Sequence, residues 1–172
     1  MNNYLLSIDP SIKNTGFTLW ENKKPVLVKS CSFKNKNKDF INITDVLYEY
    51  YYLRNLRINI FYEHLNLIIE RGTFHSKNGI GYETQEHLRG FIAGQFNKLL
   101  TKDMLISPSK WKSWYRLNFN IDDNFLIKWT KEISIKLAKQ VIQEQNWNIT
   151  ISNHDEADSL LIGWYYLNKE NK

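Results

Sequence analysis

Two acidic residues end apolar runs that are typical of buried strands. Asp9 closes the run "YLLSID" (4–9), and Glu70 closes the run "LNLIIE" (65–70). Sites in α/β proteins form in the crevice outside the carboxyl ends of the strands, so the two carboxylates converge if these strands are neighbours. Taken singly, each acid has a plainer explanation, because acids also begin turns.

A second pair of acids stands at the start of the last predicted helix, "HDEADSLLIGWYYLNK" (154–169). Asp155 and Asp158 are three residues apart, so they share one face of that helix. The simpler explanation is that acids are common in a first helical turn, where the helix dipole stabilises negative charge. The choice between the two explanations depends on whether this helix end meets the ends of the two strands.

The four carboxylates together indicate a metal site. Hard oxygen donors from two strands and one helix can hold two Mg²⁺ ions, which prefer a few carboxylates and keep water or substrate phosphate in their other positions. Two such ions roughly 4 Å apart activate a water molecule and stabilise the leaving oxygen of a phosphodiester. We therefore expect Asp9, Glu70, Asp155 and Asp158 to be both metal ligands and catalytic residues, with Mn²⁺ able to replace Mg²⁺.

Alternating strands and helices must position these acids. The spacing of three apolar runs, at 4–9, 15–20 and 25–33, predicts an antiparallel meander. Periodicity predicts further strands over 65–70 and 103–108, helices over 41–62, 82–100, 125–145 and 154–169, and a polar-aromatic connection over 109–124. This order predicts a single α/β domain over residues 1–172 with a mixed sheet.

Composition and charge favour a soluble protein with a polyanionic partner. The 172 residues carry 23 basic against 18 acidic side chains, and the basic excess grows if four acids are neutralised in one site. A basic surface around an acidic hole suits nucleic acid. One cysteine, Cys31, excludes an internal disulfide framework. We expect a cytoplasmic protein, since no signal peptide or bilayer-length apolar run is evident.

The stretch "SPSKWKSWYR" adds a candidate DNA contact. Lys110 and Lys112 alternate with Trp111 and Trp114. Basic residues between aromatic ones can hold phosphates and stack on unpaired bases. Tryptophans that fill the core beside solvated lysines are the competing interpretation.

The motifs around the acids resemble those of the RuvC family of Holliday-junction resolvases, which have the RNase H-like nuclease fold. The segment "LLSIDPSIKNTGFTLW" is similar to the first strand–turn–strand of the family, with Asp9 in the place of the first catalytic acid. The segment "HDEADSLLIGWYYL" is similar to the closing motif, with Asp155 and Asp158 as its two acids. His154, directly before them, either contacts metal or DNA or caps the helix.

The resemblance extends to the middle of the chain. The segment "LIIERGTFHSKN" is similar to the second family motif, in which Glu70 matches the acid, Phe74 the aromatic residue, and Lys77 and Asn78 the pair that follows. The segment "HLRGFIAG" comes next and contains Arg89. The resemblance implies that these residues contact DNA, and we add Lys110 and Lys112 to the predicted DNA-binding set.

The resemblance also implies a fold and an activity. The fold is a five-stranded mixed sheet, three strands antiparallel and then two parallel, flanked by helices. The activity is Mg²⁺-dependent resolution of four-way DNA junctions by a homodimer. Residues 82–100 are the expected dimer contact, and the tyrosine-rich segment 41–62 is the alternative. The small size and Asn- and Lys-rich composition resemble a phage or viral member of the family.

Other functions stay open from the sequence. A broader nickase of flaps, forks and three-way junctions needs the same acids. A branched-DNA-binding protein without activity needs none of them. A phosphotransferase or ATPase of the actin and sugar-kinase type also has an early acid near a hairpin. It needs glycine with serine or threonine in a phosphate-binding turn, where this chain has Pro10-Ser11-Ile12-Lys13, and the chain is too short for two lobes of that type.

Overall fold

The strands form a sheet whose order differs from their order along the chain. The computed structural model describes residues 4–11, 13–31, 64–72, 79–119, 121 and 128–169. The strands are β1 (Tyr4–Asp9), β2 (Thr15–Glu21), β3 (Lys24–Cys31), β4 (Leu65–Glu70) and β5 (Leu105–Ile106). Their order in the sheet is β3-β2-β1-β4-β5. The β3–β2–β1 pairings are antiparallel, and β1–β4 and β4–β5 are parallel, so the predicted mixed sheet is confirmed.

The hairpin between β2 and β3 has a local cause. Asn22 and Lys23 both have positive φ, 50° and 65°. Two consecutive positive φ values characterise the tight two-residue turn whose twist suits antiparallel strands. The polar residues Asn22 and Lys23 thus form the turn that brings Lys24 opposite Glu21.

Four helices flank the sheet in the described residues: α1 (Gly79–Gln95), α2 (Pro108–Phe119), α3 (Lys131–Glu144) and α4 (His154–Asn168). Thr130 caps α3 and Asn153 caps α4, each accepting a hydrogen bond from a backbone N–H in the first turn. None of these helices combines the length and apolar character that crossing a bilayer requires. The helix predicted over 41–62 lies outside the described residues.

The prediction of a connection over 109–124 is wrong for its first part, because Pro108–Phe119 is a helix. Proline is well tolerated at the first helical position, where its missing N–H needs no partner. Trp111 and Tyr115, four residues apart, are both fully buried on one face. Lysine and serine residues between these aromatics obscured a helical spacing that the sequence does contain.

Alternation along the strands gives the sheet two apolar faces. Leu6 and Ile8 of β1 point toward α1, whereas Leu5 points toward α2, α3 and α4. The α1 face contains Phe17, Leu19, Leu67, Ile69, Leu88, Ile92 and Phe96. The opposite face contains Trp20, Ile68, Trp111, Tyr115, Leu137, Leu160 and Leu161. The α/β layers are therefore held by two cores.

Buried hydroxyl groups attach α4 to β1 and β2. Ser7 Oγ donates to the Ser159 carbonyl oxygen at 2.7 Å and accepts from Trp20 Nε1 at 2.9 Å. Thr18 and Ser159 share a hydroxyl–hydroxyl bond of 2.8 Å. Gly163 allows this close approach, since a Cβ there would overlap Trp20 Nε1 and Ser7 Oγ. The helix is thus fixed in position along the strands.

Gly163→Ala should destabilise the protein, because the added methyl group must displace Trp20 or Ser7. Overpacking of this kind costs about 1–3 kcal/mol. Gly90→Ala is the matched control, since Gly90 is also helical but its Cβ would meet nothing within 4 Å. That change should stabilise by up to about 1 kcal/mol through helix propensity. Urea unfolding of both variants measures the contrast, and equal effects would contradict the packing argument.

Candidate active site

Asp9 and Glu70 lie side by side at one edge of the sheet. Tyr4 to Ile8 pair in parallel with Leu65 to Ile69, so Asp9 and Glu70 are the next residues in register. Alternation places both on the face covered by α2, α3 and α4. The expectation that these two strands are neighbours is confirmed.

The start of α4 meets the same edge. Asp9 pairs with Gly16 across β1 and β2. A Cβ at Gly16 would overlap the carbonyl group of Asp155, so only glycine lets the helix start lie this close to the strand. Asp155 and Asp158 are therefore brought to the end of β1, next to Asp9.

Glu156 fixes the helix start from the other side. Its carboxylate accepts hydrogen bonds from the Ser30 hydroxyl at 3.1 Å and from the Ser152 backbone N–H at 2.7 Å. The Asn153 side chain accepts from the Glu156 N–H at 3.0 Å and donates to Ser30. This arrangement resembles a capping box, in which the cap residue and the third helical residue satisfy free backbone donors at the helix start. Glu156 is thus a structural acid, although it stands between the two predicted ligands.

The carboxylates interact with one another through their charges. Burial raises the pKa of Asp9 well above its usual value, and the negative charges of Glu70, Asp158 and Asp155 raise it further. The Lys112 cation acts in the opposite direction. Asp9 is therefore the centre of the acidic cluster.

Burial also raises the pKa of Glu70 and of Asp158. For Glu70, the Lys112 cation and the Trp111 indole N–H oppose that rise. For Asp158, the Ser134 hydroxyl and then Lys112 oppose it. One lysine thus compensates the charge of three acids.

Hydrogen bonds hold the outer parts of the cluster. Asn14 Nδ2 donates to Asp155 Oδ2 at 2.6 Å, and His154 Nε2 lies 3.3 Å from Asp155 Oδ1. The turn that carries Asn14 is closed by Thr15, whose hydroxyl donates to the Ser11 carbonyl oxygen at 2.6 Å. These contacts fix Asp155 from two sides.

A metal ion needs ligand oxygens that are free to bind it. Asp158 Oδ1 is buried with no hydrogen-bond partner among the described residues, as expected of an oxygen reserved for a cation. Yet no three His, Cys, Asp or Glu side chains within the described ranges are close enough together to form a ready-made metal site. The donor types fit Mg²⁺, and the repulsion among the carboxylates opposes their close approach when no cation is present.

The predicted DNA contacts differ in where they lie. Lys110 is exposed on α2, whereas Lys112 is half-buried, with Nζ 4.9 Å from the Trp111 ring centroid. Lys112 therefore belongs to the acidic cluster rather than to an outer DNA-binding surface. Phe74, Lys77 and Asn78 lie outside the described residues and stay predictions.

The expectation that Arg89 contacts DNA needs correction. Its side chain is only 2% exposed, Nε donates to the Glu70 carbonyl oxygen at 2.7 Å, and Nη1 donates to Glu86 at 3.0 Å. With this burial it offers no surface to a duplex. It ties the end of β4 to α1 and so positions Glu70.

Trp111 contacts one of the four acids, which the sequence does not predict. The sequence suggests base stacking or core packing for Trp111, but its indole Nε1 donates to Glu70 Oε1 at 2.9 Å. Nothing in the linear pattern connects residues 41 positions apart. The one available signal is that Trp111 directly precedes a lysine in the stretch "SPSKWKSWYR".

Comparison with solved structures supports the fold. A Thermus thermophilus RuvC structure in complex with a Holliday junction substrate matches with a TM-score of 0.52 and 10% identity, covering 97% of this chain and 96% of that one. A second T. thermophilus RuvC structure matches with a TM-score of 0.50 and 10% identity, over 96% of each chain. The chain has the fold of RuvC. The predicted RNase H-like architecture is therefore confirmed.

Other comparisons add little to the RuvC-like fold. The structure of a Fowlpox virus resolvase with its substrate Holliday junction DNA has 16% identity and a TM-score of 0.47, over 98% of this chain and 99% of that one. No family model matches the chain, and no curated protein sequence matches it significantly. These comparisons therefore assign no role to any individual residue of the site.

Asp9→Asn should stabilise the protein at pH 8 when a chelator is present. Since the pKa of Asp9 is raised on folding, the folded state binds its proton more tightly than the unfolded chain. Stability is then lost as the pH rises from the ordinary value of 3.8 through the raised one. Every tenfold increase in the proton affinity of Asp9 on folding lowers the free energy of unfolding at alkaline pH by about 1.4 kcal/mol. The uncharged Asn side chain avoids this loss.

The gain should disappear below the ordinary pKa of aspartate, where both side chains are neutral. Urea unfolding at several pH values measures it, and Asp103→Asn, at an exposed position, is the control. A gain that is the same at acid and alkaline pH would show that charge is not its cause.

Proposed function

We propose that this protein is a Mg²⁺-dependent endonuclease that resolves four-way DNA junctions. The observation that carries the proposal is the convergence of Asp9, Glu70, Asp155 and Asp158 at one edge of a RuvC-like sheet. Their burial and mutual repulsion raise the pKa of Asp9, Glu70 and Asp158. Such perturbed groups cluster at functional sites. The solved structures that share the fold include a RuvC bound to a Holliday junction substrate.

The four carboxylates would hold the metal. When bound, Mg²⁺ would supply an activated water and would stabilise the leaving oxygen of the phosphodiester. Asp9 provides a central oxygen pair from the end of β1. Asp158 contributes an oxygen that has no partner in the described structure. Lys112 offsets excess negative charge and so lets the phosphate approach. Lys110, exposed on the same helix, is suited to the flanking backbone.

A broader branch-nicking nuclease is the second candidate. The described chain contains one cluster of these acids, and a single copy therefore supplies only one cut. A protein that cuts flaps, forks and junctions equally uses the same chemistry without pairing of sites. The third candidate is a branched-DNA-binding protein without activity. The observation that favours it is that the described residues contain no preformed set of metal ligands.

Removing any one carboxylate should abolish cleavage and spare most DNA affinity. Asp9→Asn, Glu70→Gln, Asp155→Asn and Asp158→Asn each remove a charge without changing shape. Labelled four-way, flap and linear duplex DNA, incubated with and without Mg²⁺, measures cutting, and binding is measured in Ca²⁺. We expect at least a roughly 100-fold loss of cutting rate, in keeping with the loss of a main electrostatic contribution.

Glu144→Gln is the control, because Glu144 is an exposed acid at the far end of α3. A Glu70→Gln protein that cleaves at the wild-type rate would exclude the four-carboxylate mechanism. If the wild-type protein binds junctions but never cuts them, only the branched-DNA-binding function without activity remains.

We also propose a homodimer, because two symmetric cuts need two sites and a two-fold interface provides them. Phe91 and Leu99, in the predicted interface 82–100, are 55% and 85% exposed. The Phe91→Asp/Leu99→Asp variant should therefore sediment as a monomer and lose paired cutting of a cruciform plasmid while it keeps nicking. Leu117→Asp, at a 68% exposed position on α2, is the control. A wild-type protein that is monomeric even on junction DNA would contradict the dimer.

A further inference from the structure

Trp111 lies where two elements of the acidic cluster meet. Its side chain is completely buried, and its single polar atom, Nε1, donates to Glu70 Oε1 at 2.9 Å. The bond links α2 to the end of β4. One oxygen of Glu70 is therefore engaged by the protein, which fixes the plane of the carboxylate and the direction of the other oxygen.

A second indole makes the corresponding connection on the other side. Trp129 packs edge-on against Trp111, with ring centroids 5.1 Å apart and an interplanar angle of 84°. Trp129 Nε1 donates to Ser134 Oγ at 2.8 Å. The Ser134 hydroxyl in turn lowers the pKa of the Asp158 carboxyl. Because Ser134 Oγ accepts from the indole, its own proton remains available to the Asp158 side.

Lys112 is held by the same two rings. Its Nζ lies 4.9 Å from the Trp111 centroid and 5.8 Å from the Trp129 centroid, within the range of cation–π attraction. These contacts restrict a flexible side chain that would otherwise extend into solvent. The position of the charge that lowers the pKa of Asp9, Glu70 and Asp158 is thereby restrained.

We propose that the Trp111–Trp129 pair is the positioning device of the candidate active site: Trp111 orients Glu70 directly, Trp129 orients Asp158 through Ser134, and both rings seat Lys112. This inference rests on the proposed nuclease function. A purely apolar core would not need the indole N–H groups, since aromatic rings without a polar atom also fill cores. Trp114, three residues along α2, illustrates that packing role, with ring contacts to Tyr115, Phe119 and Tyr165.

The test compares Trp111→Phe with Trp114→Phe. Titration calorimetry with MnCl₂ alone measures metal affinity without DNA, and single-turnover cleavage of a four-way junction separates rate from DNA affinity. Loss of a partner that orients a metal ligand typically costs about 10–100-fold in affinity or activity. We expect Trp111→Phe to lose that much in Mn²⁺ affinity and in cleavage rate, with junction affinity near wild type. Its melting temperature should fall, because the smaller ring leaves a cavity in the core. Trp114→Phe should bind Mn²⁺ and cleave as the wild type does.

Ser134→Ala is the second variant, and it keeps the test decisive if Trp111→Phe does not fold. It removes only the hydroxyl that connects Trp129 to Asp158, so it should also weaken Mn²⁺ binding. Wild-type Mn²⁺ affinity in the folded variants would overturn the inference and leave the nuclease proposal intact. A wild-type protein that neither binds Mn²⁺ nor cleaves DNA would refute the proposed function, and this inference with it.

Discussion

Placing four like charges in one partly buried site is the constraint on which the rest of this structure depends. Two unit charges about 4 Å apart repel by about 4 kcal/mol at an effective dielectric constant of about 20. The chain meets this cost with a rigid support for each acid. Strand ends fix Asp9 and Glu70, a helix N-terminus favours the charge of Asp155, and Lys112 lies close to three of the acids. Stability is therefore traded for a site that attracts cations.

The buried polar bonds explain how the supports remain in register. Ser7, Thr18 and Ser159 join α4 to the centre of the sheet. Glu156 and Arg89 join the ends of elements, and both are buried side chains that hydrogen-bond to neighbouring parts of the chain. Removing one partner of such a group leaves the other unpaired, which costs more than the bond itself contributes. These residues shape the site without taking part in it.

The sequence predicted those features that depend on local periodicity. The strand ends at Asp9 and Glu70, the spacing of Asp155 and Asp158, and the mixed sheet follow from patterns of two and of three to four residues. It did not predict α2, because lysines and serines mask the Trp111 and Tyr115 face. Nor did it predict the burial of Arg89 or the Trp111–Glu70 bond, since these join residues far apart in the chain. Tertiary hydrogen bonds leave no local signature.

The parallel register of β1 on β4 has a consequence for how such a chain can change over generations. Side chains alternate between the two faces, so one inserted or deleted residue inside either strand would turn its acid toward the apolar layer under α1. Replacing one apolar residue by another does not change the face of the sheet on which each side chain lies. Sequence change within this fold is then restricted more in the lengths of β1 and β4 than in the identities of their residues. A nearly full-length structural match at 10% identity is the kind of similarity that such a restriction permits.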